Sequence, residues 1–162
     1  MDYLIKTGTA ENETTDALVL PVYSGEDKLA NAHLNKILKS GDMTGKFKQT
    51  LLLHDVPGIK AKRVLLIGVG KKDELTEAKY QDLINQMITS LQQTSVQNVV
   101  SLLPEVICKK RSLAWKIRHA VIHTNAALYQ FNDFKSNKEK NEKPLKGLTF
   151  IAAKSELEEV KQ

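Results

Sequence analysis

The chain has 162 residues, 41% hydrophobic and 27% charged, the proportions of one globular domain with enough apolar material for a full core. No apolar run approaches ~18 residues, which excludes a membrane-spanning helix, and the charged opening Met1-Asp2-Tyr3-Leu4-Ile5-Lys6 does not have the form of a secretory signal. A formal charge of +5 with pI near 9.2 permits nucleic-acid contact without demanding it, and a single cysteine, Cys108, excludes an internal disulfide and favours a cytoplasmic setting.

In chain order, residues Asp2 to Lys6 read as a first strand, and the polar stretch Thr7 to Thr15 as a loop. Ala17-Leu18-Val19-Leu20 is a second apolar run, expected to stop at Pro21 or shortly after, because proline lacks an amide donor. Ser24, three residues before Asp27, has the spacing of a helix N-cap with an acidic first turn. Leu29, Ala30, Leu34, Ile37 and Leu38 follow at helical spacing, and the helix is expected to end near Ser40-Gly41.

Phe47 to His54 reads as a third strand, and Pro57-Gly58 as the turn into a fourth, Lys62 to Gly70. That fourth run, Val64 to Ile67 and Val69 around Gly68, is continuous enough to be covered on both faces. The short connection makes these two strands antiparallel neighbours, so the sheet is mixed. A helix over about Thr76 to Gln93 carries Tyr80, Leu83, Ile84, Met87, Ile88 and Leu91 on one stripe. Val96 to Leu103 is a further strand ended by Pro104. A third helix runs from about Ser112 to Phe131, with Leu113, Ile117, Ala120, Val121, Thr124, Leu128 and Phe131 on its stripe and Trp115 flanking it. Lys135 to Lys146 reads as a surface loop, and Leu148 to Ala152 as a last strand. Ser155 and Glu158 have capping-box spacing. The chain stops soon after them, which suggests the front part of something longer. The alternation of strands and helices predicts an α/β fold.

Four features could carry chemistry. Gly68-Val69-Gly70-Lys71 after a buried strand has the look of an anion-binding turn, but it lacks the full spacing of a P-loop or dinucleotide fingerprint, and a plain strand-to-helix turn accounts for it. His119 and His123, four apart on the third helix, could reach one metal. No cysteine or acidic residue accompanies them, so boundary histidines are the simpler reading, as they are for His33 and His54. Cys108 lies beside Lys109, Lys110 and Arg111, charges that can lower a thiol pKa, yet no base is assigned to it. The basic residues Lys109, Lys110, Arg111, Lys116 and Arg118 could join into one nucleic-acid-contacting patch, and Lys135, Lys138, Lys140, Lys143 and Lys146 into another, diluted by Glu139 and Glu142. Neither has the aromatic interleaving of a single-strand binder, which favours solvated faces. No catalytic or metal-binding set emerges.

An ordered series of short segments resembles the N-terminal domain of the bacterial leucyl aminopeptidases, the cytosol aminopeptidase (M17) family. The pieces are Gln49-Thr50-Leu51-Leu52-Leu53-His54, Arg63-Val64-Leu65-Leu66-Ile67-Gly68 with Gly70-Lys71, Trp115-Lys116-Ile117-Arg118 with Ala120-Val121, Leu128-Tyr129-Gln130-Phe131, and Lys135-Ser136-Asn137-Lys138. The resemblance implies a macro-domain-like three-layer α/β/α fold with a mixed, mostly parallel sheet over residues 1–153, and in 154–162 the start of a helix linking to a catalytic domain absent from this chain. That absent domain is implied to bind two divalent metal ions, manganese or zinc, and to remove N-terminal amino acids, often leucine, in intracellular protein turnover. The family's motif Asn-Thr-Asp-Ala-Glu-Gly-Arg-Leu does not occur here, so no catalytic residue carries over. Hexamer assembly and, in some members, DNA binding are further implications, and no membrane partner is expected. The alternatives are a DNA-binding regulatory module on the basic clusters, and a stand-alone phosphate- or ADP-ribose-binding domain using Gly68, Gly70 and Lys71.

Overall fold

A computed structural model describes residues 2–25, 29, 31–106, 111–134 and 145–151. Six strands, β1 (Asp2–Lys6), β2 (Ala17–Tyr23), β3 (Thr50–His54), β4 (Arg63–Gly70), β5 (Asn98–Ser101) and β6 (Gly147–Ile151), form one sheet in the order β1-β6-β5-β2-β4-β3. Every neighbouring pair is parallel except β3 with β4, which is antiparallel as the short connection requires. Among the described residues, three α-helices cover the sheet: α1 (Ala32–Ser40), α2 (Glu77–Gln92) and α3 (Leu113–Phe134).

The central strands are apolar in both parities because both faces are covered. In β2 and β4, Leu18, Val22, Val64 and Leu66 pack with Leu34 and Leu38 of α1. The alternate residues Ala17, Val19, Leu65, Ile67 and Val69 pack with Leu83, Ile84 and Met87 of α2 and Leu113, Ile117 and Ala120 of α3. Tyr80 is fully buried in that second layer, and its hydroxyl donates to the Lys116 carbonyl at 2.7 Å, tying α2 to α3.

Strand β2 runs through Pro21 and ends two residues beyond it, at Tyr23, as the sequence leads one to expect. Pro21 shares the parity of Val19, whose carbonyl takes the Leu102 amide on the β5 side at 3.0 Å. Pairing with β5 ends at Val19, so the donor that proline lacks would face an edge with no strand on it. Ser24 does not cap α1. The cap is Asn31, whose side chain accepts from the Leu34 amide at 3.1 Å, and the helix ends at Gly41 in the left-handed region. Strand β3 begins at Thr50, three residues later than the sequence suggests, and β5 stops at Ser101, whose hydroxyl accepts from the Leu103 amide at 3.2 Å and bends the chain into a 3-10 turn, Leu103–Glu105. Ser112 starts α3 by accepting from the Trp115 amide at 3.1 Å. The capping-box pair Ser155 and Glu158 lies outside the described residues.

At the amino ends of the strands, one carboxylate clips three elements together. Asp16 Oδ2 accepts from the amides of Gln97 and Asn98 at 3.0 Å each, and Oδ1 stands 3.6 Å from Lys62 Nζ. Burial pushes this carboxyl up, but the two amides and the Lys62 ammonium outweigh it and hold its pKa below the usual aspartate value.

At the opposite end, residues 45–49 lie flat against β4. The Lys48 amide donates to the Gly68 carbonyl at 2.9 Å, the Gly68 amide to the Gln49 carbonyl at 2.7 Å, and the Gly70 amide to the Gly45 carbonyl at 3.0 Å. A Cβ on Gly68 would overlap the Lys46 carbonyl oxygen, and one on Gly45 would overlap the carbonyl of Tyr23. Gly68→Ala is therefore expected to cost about 1–3 kcal/mol through overpacking against backbone that cannot yield cheaply. Urea unfolding of the variant should show a lower midpoint at unchanged slope, and an unchanged midpoint would contradict the close contact.

Candidate functional site

The glycines of the Gly68–Lys71 turn do not form an anion cradle. The Gly68 and Gly70 amides are spent on the carbonyls of Gln49 and Gly45, and their missing side chains make room for the 45–49 segment. Lys71 alone of that trio is exposed with its side chain at a pocket. The pocket measures about 220 Å³ and is lined by Ser24, Lys46, Phe47, Val69, Gly70, Lys71, Glu74 and Lys79. It caps the carboxyl ends of β2 and β4. The Lys79 ammonium stands 5.6 Å from the Phe47 ring centroid, and Lys72 stands 5.8 Å from the neighbouring Tyr23 ring. Nothing short-range in the sequence announces Lys46, Phe47 or Lys79 as partners of Lys71, because they come from three separate segments.

A second pocket, about 210 Å³, lies on the other side of β2 and is lined by Ala10, Leu20, Pro21, Leu29, Asn31, Leu34, Ile59, Leu102 and Glu105. The chain leaves β2 toward α1 on one face and leaves β5 toward α3 on the other. These two adjacent parallel strands therefore form the sheet's topological switch point, where such folds leave a crevice. Its lining is mainly apolar, and the Asn31 amide group is already committed to the Pro57 carbonyl at 2.7 Å.

The first basic cluster does not converge as a phosphate-binding patch among the described residues. Lys109 and Lys110 lie outside them, as does Cys108. Arg111 is ion-paired with Glu77 and stands 5.1 Å from the Trp115 ring centroid. Lys116 is only 8% exposed, and its Nζ donates to the Val106 carbonyl at 2.7 Å, so it ties α3 to the 3-10 turn instead of facing a ligand. Arg118 is exposed. Of the second cluster, only Lys146 is described, and it is exposed.

His119 and His123 do lie side by side on α3, with ring centroids 5.7 Å apart. His119 also stacks on Trp115 at 4.0 Å. Arg111, Trp115, His119 and His123 thus form a row of flat groups at successive helical turns. Among the described residues, no three histidine, cysteine, aspartate or glutamate side chains gather into a group that could hold a metal ion. His33 and His54 are exposed on separate elements.

The fold and its pockets define a macrodomain-like α/β domain. Among solved structures, the macrodomain of Mycobacterium tuberculosis DarG is similar over 93% of this chain and 99% of that one, at 12% identity and a TM-score of 0.60. A mutant tomato leucine aminopeptidase is similar over 99% of this chain and 35% of that one, at 15% identity and a TM-score of 0.68. The sequence then fixes the family. Residues 10–138 match the model of the cytosol aminopeptidase family, N-terminal domain. A probable cytosol aminopeptidase of Aeromonas hydrophila is 39% identical over 159 residues, covering 93% of this chain and 32% of that protein. The cytosol aminopeptidase of Haemophilus influenzae is 42% identical over 147 residues, covering 85% and 30%. The chain belongs to the cytosol aminopeptidase family, as its N-terminal domain. It spans about a third of the length of the curated relatives it matches. No helix among the described residues is long and apolar enough to cross a membrane.

Burial, and then the nearby His119 charge, push the His123 pKa below the ordinary value of 6.5. The unfolded chain therefore takes up this proton more readily than the folded one. The His123 contribution to stability is complete above that ordinary value and declines as the pH falls from it toward the folded pKa. Urea unfolding at about pH 7.5 and about pH 5.5 should show this decline, and His123→Gln should reduce it. An identical pH dependence in the variant would contradict the assignment.

Proposed function

We propose that this chain is the non-catalytic N-terminal domain of a leucyl-type cytosol aminopeptidase. The whole enzyme would remove N-terminal amino acids, preferentially leucine, from peptides during intracellular protein turnover in the cytoplasm. Its two divalent metal ions, manganese or zinc, would be held by a C-terminal catalytic domain. This domain would serve assembly of the hexamer that the family resemblance implies, or its regulation. The observation that carries the reading is the family match over residues 10–138, together with relatives about three times as long as this chain.

The test is an immunoblot of source-cell extract, fractionated by size, with an antibody raised against this chain. The expected result is a band roughly three times the 18.1 kDa of this chain, the ratio set by its relatives. It should co-fractionate, in a hexamer-sized peak, with leucine release from leucine p-nitroanilide that manganese stimulates and chelation abolishes. A band at the mass of this chain, with leucine release elsewhere in the profile, would overturn the reading.

A further inference from the structure

We propose that the pocket at the carboxyl ends of β2 and β4 binds a small phosphorylated anion, a diphosphate or the terminal phosphates of a larger metabolite. Three lysines line it from three separate segments: Lys46 before β3, Lys71 after β4 and Lys79 in the first turn of α2. The ion pairs seen among the described residues are Lys6 with Glu13, Lys62 with Asp16, and Arg111 with Glu77. None of them involves a pocket lysine. Among the described residues, one carboxylate, Glu74, shares the lining, so the four charged side chains described there sum to +2. Cations gathered around a concavity repel one another and raise the local concentration of anions.

The pocket is held in shape before any ligand arrives. Lys46 and Phe47 sit on the segment fastened to β4 by the three backbone hydrogen bonds at Gly68 and Gly70. The Ser24 amide donates to the Gly70 carbonyl at 2.8 Å, which fixes the opposite wall, where Ser24 lines the pocket. Lys79 lies over the Phe47 ring, so part of its side-chain freedom is already lost. Prior ordering of this kind lowers the cost of binding.

The same features select the ligand. A tetrahedral phosphate accepts several hydrogen bonds at once, and lysine serves phosphate as a point charge. The three lysines outnumber Glu74 on the lining, so affinity should climb with ligand charge, from acetate through phosphate to pyrophosphate. The volume corresponds to roughly seven water molecules, which suits a small group entering the pocket better than a duplex laid across it. This site is independent of the aminopeptidase reading, because it needs only the 162-residue chain.

Calorimetry of that chain at low salt with pyrophosphate, phosphate and acetate is the test. Binding should follow that order. Lys46→Gln, Lys71→Gln and Lys79→Gln together should weaken pyrophosphate binding by at least about tenfold, the equivalent of one charge-assisted hydrogen bond. A matched variant that loses the exposed Lys36, Lys39 and Lys60 to glutamine elsewhere should bind as the parent does. Lys71→Gln, an exposed change on a turn, should by itself weaken binding if the triple variant unfolds. No heat with millimolar pyrophosphate, equal losses in the two lysine variants, or a short oligonucleotide binding tighter per phosphate than pyrophosphate would each overturn the proposal.

Discussion

The contact between residues 45–49 and strand β4 is the constraint on which the functional end of this domain depends. It brings two backbones closer than any side chain allows, and it works because Gly45 and Gly68 each withhold a Cβ where a carbonyl oxygen lies. Three hydrogen bonds then close the seam. The result seats the antiparallel edge strand β3, sets Lys46 and Phe47 beside Lys71 and Lys79, and uses up amides that a Gly-x-Gly-Lys sequence would otherwise offer to an anion. Charge at this site therefore comes from side chains gathered by tertiary packing, and the backbone supplies the frame.

The rest of the sheet is held by burial on both faces and by one charged clip at the other end. The two core layers meet across β2 and β4, so neither strand can slip by one residue without exchanging its faces. Asp16 fixes the amino ends by joining the chain before β2 to the start of β5 and to Lys62 ahead of β4. A carboxylate placed just before a strand gave no signal in the sequence, because its partners lie 81 and 82 residues away.

Fold class and family were legible because they rest on local or ordered signals. Continuous apolar runs marked the buried strands, the brief Pro57-Gly58 connection marked the antiparallel pair, and Gly41 marked the end of α1. The spaced segments from Gln49 to Lys138 pointed to the family that the comparisons establish. Two readings failed for physical reasons. Ser24 had cap chemistry but sits beside the pocket, while Asn31 supplies the cap. Lys116 read as surface charge, yet the Val106 carbonyl, just past the 3-10 turn, gives its ammonium a buried partner. The glycines of the Gly68–Lys71 turn left an anion turn and a plain strand-to-helix turn both open, the plain turn being the simpler, and the fate of their amides, decided by a segment some twenty residues earlier, shows that they form a seam. The pocket itself was invisible for the same reason, since its lysines are strangers in sequence.

The most direct measurement of this account is native-state hydrogen exchange of the Lys48, Gly68 and Gly70 amides. If the seam is the rigid frame described here, all three should exchange only through global unfolding, with the protection of core amides such as those of Leu65 and Leu66. Exchange at the rate of an open loop would contradict it, and the pocket would then have no fixed shape.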